Sequence, residues 1–219
     1  MTKNDYEAKS RVKWSKVPRL REDQRDLGSN TRKDFIRCSA SPPPPLVSYC
    51  VTVYNRSIIE GREYLPSLVK TLMKDAPEHA ELVVTDWFST DLPLRDWLPN
   101  AWTKDLQIID MAGKFAIGQG KAVACERANG EYIFVFDADM LVPTGYTQSI
   151  ISHFDEGWRS AFPEYLRELD NEDKESCLGA GQGNYAFRKS EWPKLRGGYG
   201  ELEKKTTWGG EDHAIYRRA

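Results

Sequence analysis

Apolar positions along this 219-residue chain follow two rhythms. Leu46–Val53, Glu81–Thr85, Leu106–Asp110 and Tyr132–Phe136 are short, mostly apolar runs rich in β-branched and aromatic residues. Such runs read as buried strands. Between them, Tyr64, Leu65, Leu68, Val69 and Leu72 recur at helical spacing within 60–74. Ile117–Asn129 reads as a second helix with Gly130 as its C-cap. Tyr54–Arg56 reads as a loop, Trp87–Asp91 as a polar turn and Leu92–Trp97 as a connector. The order β-α-β, β, α-β predicts an α/β domain: a parallel sheet with helices on its faces.

Beyond the fourth strand, Thr144–Phe154 predicts a helix, and Gly157–Asn171 an amphipathic one interrupted at Pro163. Gly179–Arg188 reads as a strand reached through a glycine loop, and Ser190–Leu195 as a short helix capped by Gly197-Gly198. Lys204–Gly210 is a loop and Glu211–Arg218 opens a last helix. Residues 1–45 are polar and end in Pro42–Pro45, a short polyproline stretch. They read as a basic arm, and 46–219 as one domain.

The fourth strand ends abruptly in charge, FDAD, at Phe136–Asp139. In an extended chain Asp137 and Asp139 point the same way, ~7 Å apart at Cα, and can converge on one hard cation. Ligands of open α/β sheets gather at the carboxyl ends of strands. The bare motif is weak: with 16 Asp in the chain, about one Asp-x-Asp arises by chance. The bland alternative is a turn, or a cap for the helix starting at Pro143-Thr144.

Charge narrows the field. Residues 1–45 hold 11 Lys and Arg against 6 Asp and Glu, and the remainder 20 against 27. Net charge is −2, so the whole chain is no obvious nucleic-acid binder. The arm suits either a solvated extension or peripheral contact with an anionic membrane surface. No apolar run approaches a membrane span or a signal peptide. Cys38, Cys50, Cys125 and Cys177 match no zinc pattern, and a reducing, cytoplasmic setting is expected.

Two further acidic spots close strands or loops: Asp86 after the second strand, and Glu211-Asp212 after Trp208-Gly209-Gly210. A strand-end Asp can accept from a ribose hydroxyl or a base N–H. A carboxylate behind a flexible Gly-Gly loop can act as general base on a hydroxyl. Trp208 offers a flat face for a sugar ring, or simply packs its loop. Lys121 suits a diphosphate, or is a solvated helix lysine. GQGK (118–121) fails as a P-loop: Phe115 stands at the first glycine and Ala122 at the Ser/Thr. His79, His153 and His213 are scattered, and no G-x-S-x-G nucleophile motif is present.

Together, LVSYCVTVYNR (46–56), ELVVTDWFSTD (81–91), GKAVACERANG (120–130) and EYIFVFDAD (131–139) resemble the inverting GT-A glycosyltransferases of family 2. The stretch from GNYAFRKSEWPKLRGGYGE to TTWGGEDHAIYRR (183–218) resembles the carboxyl-terminal half of galactosyltransferase-type members. The resemblance implies a GT-A (Rossmann-like) fold with a mixed, mostly parallel central sheet. It implies a UDP-sugar donor near Val53, Arg56, Asp86, Lys121 and Asp137. Mn²⁺ or Mg²⁺ would sit at Asp137 and Asp139. A glycan or glycolipid acceptor would meet Trp208, Gly209, Gly210 and Glu211, with Asp212 as base. The expected reaction moves a hexose or N-acetylhexosamine, Gal or GalNAc first, with inversion at C1. Val53 stands where many members carry Thr, no clear His follows the WGGED helix, and members usually continue beyond the position of Ala219. A C-terminally shortened domain is therefore expected. An inactive nucleotide-sugar or glycan-binding module is the alternative. A nucleotidyltransferase is a weaker one, since the triphosphate loop it would need after the first strand is missing.

Overall fold

The computed structural model describes residues 12–14, 46–163, 167–168 and 183–200. Among the described residues, seven strands form the main sheet: β1 (Val12–Trp14), β2 (Val47–Val53), β5 (Ala80–Asp86), β6 (Asp105–Asp110), β7 (Tyr132–Phe136), β9 (Ser160–Pro163) and β11 (Tyr185–Arg188). Small two-stranded ribbons pair β3 (Ile58–Ile59) with β4 (Arg62–Glu63), and β8 (Met140–Leu141) with β10 (Arg167–Glu168). The main sheet runs β1-β9-β11-β7-β2-β5-β6. Strands β7, β2, β5 and β6 are parallel to one another, while the pairings β7–β11, β11–β9 and β9–β1 are antiparallel. The domain is thus α/β, as the strand rhythm predicts, and its sheet is mixed, as the family resemblance implies and the parallel reading of the strand order alone does not.

Successive side chains of a strand point to opposite faces, and both faces here are buried. Tyr49 and Val51 of β2, Leu82 and Val84 of β5 and Phe134 of β7 face one core. That core is closed by Leu65, Leu68 and Leu72 of α1 (Leu65–Asp75), Leu94 and Leu98 of α2 (Leu94–Ala101), and Ile150 and Phe154 of α4 (Tyr146–Asp155). Cys50, Val83, Ile133 and Val135 face the other. There they meet Ala124 and Cys125 of α3 (Ile117–Arg127) and Trp192 and Leu195 of α5 (Trp192–Gly200).

Five sequence expectations give way. The stretch 157–171 is not helical where described: 160–163 pairs with β11 and β1, and 167–168 with β8. Its buried Ala161 and Phe162 complete the sheet, and strand pairing outweighs the helical periodicity. Leu92–Trp97 is no plain connector, because α2 occupies 94–101. Gly130 does not cap α3; the Ala128 N–H closes the helix on Ala124 O at 2.9 Å. Gly130 instead crosses β2 so closely that an added Cβ would lie 2.5 Å from Ser48 Oγ. A short 3₁₀ turn at Lys189–Glu191 precedes α5, which runs through Gly197-Gly198 rather than stopping there. The helix expected from Thr144 starts at Tyr146 with Gly145 as N-cap. Asp75 rather than Asp139 accepts from the backbone of its first turn, at Gly145 N (2.5 Å) and Thr147 N (2.8 Å). Among the described residues, no helix is long and apolar enough to cross a membrane.

Candidate active site

Parallel register sets which residues share the rim. Val53 lies beside Asp86, and Asp86 beside Asp110, so β2, β5 and β6 end level. Val51 lies beside Phe136, which brings Asp137–Asp139 to the same carboxyl edge. This is where a ligand of such a sheet collects.

Each aspartate of the pair has its own cation. The ammonium of Lys121 lies 2.9 Å from Asp137 Oδ1 and donates to Gly183 O at 3.1 Å. Lys121 is only 1% exposed, so it is neither a solvated helix lysine nor an open surface charge. Arg56 donates from its guanidinium to Asp139 Oδ2 at 2.8 Å. Its Cζ also lies 5.2 Å from the centre of the Tyr64 ring, a cation–π seat. Asp139 Oδ1 is buried and has no hydrogen-bond partner among the described residues. Such an atom is costly to leave unpaired.

The loops behind this pair brace one another. Asp86 Oδ1 accepts from Ser89 N (3.0 Å) and Ser89 Oγ (2.6 Å). Asn55 N donates to Ser89 Oγ (2.9 Å), and Thr90 N donates to Asn55 Oδ1 (2.8 Å). Asp91 Oδ2 accepts from Ser57 N (2.6 Å) and Ile58 N (2.8 Å). Arg56 therefore projects from a backbone fixed on both sides. Asn55 and Phe88 have φ of 46° and 53°, conformations that cost non-glycine residues energy and cluster at functional sites. Phe88 (65%) and Tyr54 (49%) are exposed at this mouth. Tyr54 stacks on Phe115, which meets Trp87 edge-on.

Val53 sits at the rim through its main chain, because its side chain is wholly buried. Asp86, Arg56, Lys121, Asp137 and Asp139 gather on one edge. Trp208, Gly209, Gly210, Glu211 and Asp212 lie outside the described residues, so the expected acceptor side is not placed. Sequence reasoning passed over three contributors. Asn184 Oδ1 accepts from Asp137 N at 2.9 Å. Gly183, at φ +77°, has no room for a Cβ, which would fall 1.7 Å from Asp137 Oδ2. Asp91 was legible only as the end of a polar turn.

The donor set fits a hard divalent cation: carboxylate oxygens, one of them buried and orphaned. Among the described residues, no three His, Cys, Asp or Glu side chains gather to hold a metal. Asp137 and Asp139 are the two carboxylates at this rim that would hold such a cation.

Comparison with curated proteins finds no match. Among solved structures, Staphylococcus aureus TarS 1–349 superposes with a TM-score of 0.59 at 18% identity, covering 78% of this chain and 55% of that one. This chain thus spans about half the length of that structure. A 4-diphosphocytidyl-2C-methyl-D-erythritol synthase from Anaerococcus prevotii DSM 20548 gives 0.51 at 10% identity, covering 79% and 82%. At these identities the likeness is one of fold. A family pattern, glycosyl transferase family 2, matches residues 48–197, from the start of β2 into α5. The acid pair, its two cations and the braced loops all fall inside that span, and the chain belongs to glycosyl transferase family 2.

Proposed function

We propose that this protein is a metal-dependent, inverting glycosyltransferase. It moves a hexose or N-acetylhexosamine, Gal or GalNAc first, from a UDP-sugar to a hydroxyl of a glycan or glycolipid. One observation carries the reading: Asp137 and Asp139 share a strand-end rim with Asp86, Arg56 and Lys121, and Asp139 keeps a buried oxygen without a partner among the described residues. Asp86 is assigned to the nucleoside and Arg56 to the diphosphate. Lys121 pairs with Asp137 beneath the rim. Mn²⁺ or Mg²⁺ held by Asp139, with Asp137 beside it, would offset charge developing on the UDP leaving group. Asp212 is assigned the base that takes the acceptor proton, with Glu211 and Trp208-Gly209-Gly210 on the acceptor. A cytoplasmic setting, with peripheral membrane contact through the basic residues 1–45, completes the proposal.

A panel of UDP-sugars assayed for UDP release, with and without Mn²⁺, tests it. Release from UDP-Gal or UDP-GalNAc that needs Mn²⁺ supports the reading; no release from any donor points to a binding module instead. Asp212→Asn should abolish transfer and leave UDP affinity nearly unchanged.

A further inference from the structure

One edge of the main sheet is closed by a segment from far upstream. β1 pairs antiparallel with β9 in the register Val12↔Pro163, Lys13↔Phe162 and Trp14↔Ala161. Alternation decides which of these residues exchange hydrogen bonds, because successive residues of a strand aim their N–H and C=O to opposite sides. Arg188 N donates to Arg159 O at 3.2 Å, so the main chains of Arg159 and Ala161 serve β11. Those of Ser160 and Phe162 then face β1, and Lys13 is the residue whose main chain meets Phe162. On its inner side β9, four residues long, is registered to β11 through Ala186↔Ala161 and Phe187↔Ser160.

The ladder continues inward to the site. β11 pairs with β7 from Tyr185↔Val135 to Arg188↔Tyr132. Immediately before β11 stand Gly183, whose carbonyl accepts from Lys121, and Asn184, whose side chain accepts from Asp137 N. Gly183 lies so close to the Asp137 carboxylate that it has no room for a Cβ, so a small shift of β11 reaches that carboxylate directly. A strand that loses the hydrogen bonds of one side opens locally at lower cost. We infer that β1 is a positioning element for the donor site: residues 12–14 hold β9 against β11 and so fix Gly183-Asn184 against Lys121 and Asp137. This rests on the donor-site reading above and adds to it a coupling between an N-terminal strand and the nucleotide. Such coupling is reciprocal, so UDP must favour the docking of β1 by the same factor that docked β1 favours UDP.

The experiment uses the full chain and two readouts. Calorimetry measures UDP affinity, and amide hydrogen exchange with mass spectrometry follows 12–14, 160–163 and 183–188 with and without UDP. Lys13→Pro deletes the N–H that faces Phe162, whereas Lys13→Ala keeps it. Lys13→Pro should weaken UDP at least about fivefold, the lower end of ordinary coupling between sites, and speed exchange at 183–188. Lys13→Ala should match the unaltered protein in both readouts, and circular dichroism shows that each variant is folded. In the unaltered protein UDP should slow exchange at 12–14, a linkage that a merely structural edge strand would not show and that needs no variant. If Lys13→Pro binds UDP as tightly as the unaltered protein, or if UDP leaves exchange at 12–14 unchanged, the inference is overturned while the donor site stands. If the unaltered protein binds no UDP, the donor-site reading fails and this inference with it.

Discussion

At the scale of single residues, the site depends on side chains that have very little room. Gly183→Ala would force a methyl group against Asp137 Oδ2 and strain a φ of +77°. Displacing that carboxylate by about 1 Å should lower turnover on the order of 10²-fold, read as UDP release by a variant with an unchanged circular dichroism spectrum. Glu81, at the opposite end of the strands, should contribute to acid stability. Burial would raise its pKa, but hydrogen bonds from Ser48, from the amide and side chain of Asn129, and from Gln107 outweigh it and hold the carboxyl below its ordinary value. A depressed carboxyl stabilises the fold above its unfolded pKa and loses that contribution as pH falls through the folded one. Unfolding midpoints should therefore drop below about pH 4.5, and Glu81→Gln should flatten that limb and lose roughly 1–3 kcal/mol at neutral pH. Denaturant titrations across pH measure both. The aspartate pair was legible because its spacing is local. Gly183 and Asn184 were not, since their partner is a stretch of chain far upstream.

Among the elements, the four parallel strands announced themselves because apolar runs flanked by charge have few other uses. Two elements stayed hidden for different reasons. Helix α2 shows only Leu94 and Leu98 as its buried pair and carries Pro99 inside it, which removes an N–H from the ladder. β9 is four residues long and owes its conformation to β11 and β1 on either side. The end of α2 is nonetheless a cornerstone. Trp102 is 1% exposed, donates from Nε1 to Asp105 O at 2.9 Å and meets Tyr49 edge-on. Trp102→Ala should cost about 3–5 kcal/mol, measured by urea unfolding, whereas replacing exposed Phe88 by Ala should leave stability within about 1 kcal/mol.

For the molecule as a whole, ligand binding and stability are linked through one rim. UDP at about one hundred times its Kd should stabilise the fold by ~2.7 kcal/mol. Mn²⁺ should add to the thermal shift, and Asp139→Asn should remove that addition while keeping most of the shift from UDP alone. Differential scanning calorimetry reads all three. The layered α/β plan was legible because both faces of each central strand are apolar. The antiparallel flank was not, since nothing local in β9 or β1 reveals its direction. That flank also decides when the pocket can exist. Asp137 N finds its acceptor 47 positions downstream and Lys121 Nζ its carbonyl 62 positions downstream. During synthesis, then, a nascent polypeptide that has reached only the acid pair holds a half-built cradle. Its ammonium waits beneath the sheet until the Gly183-Asn184 segment leaves the ribosome and docks, so competence to capture nucleotide should come late in the protein's assembly.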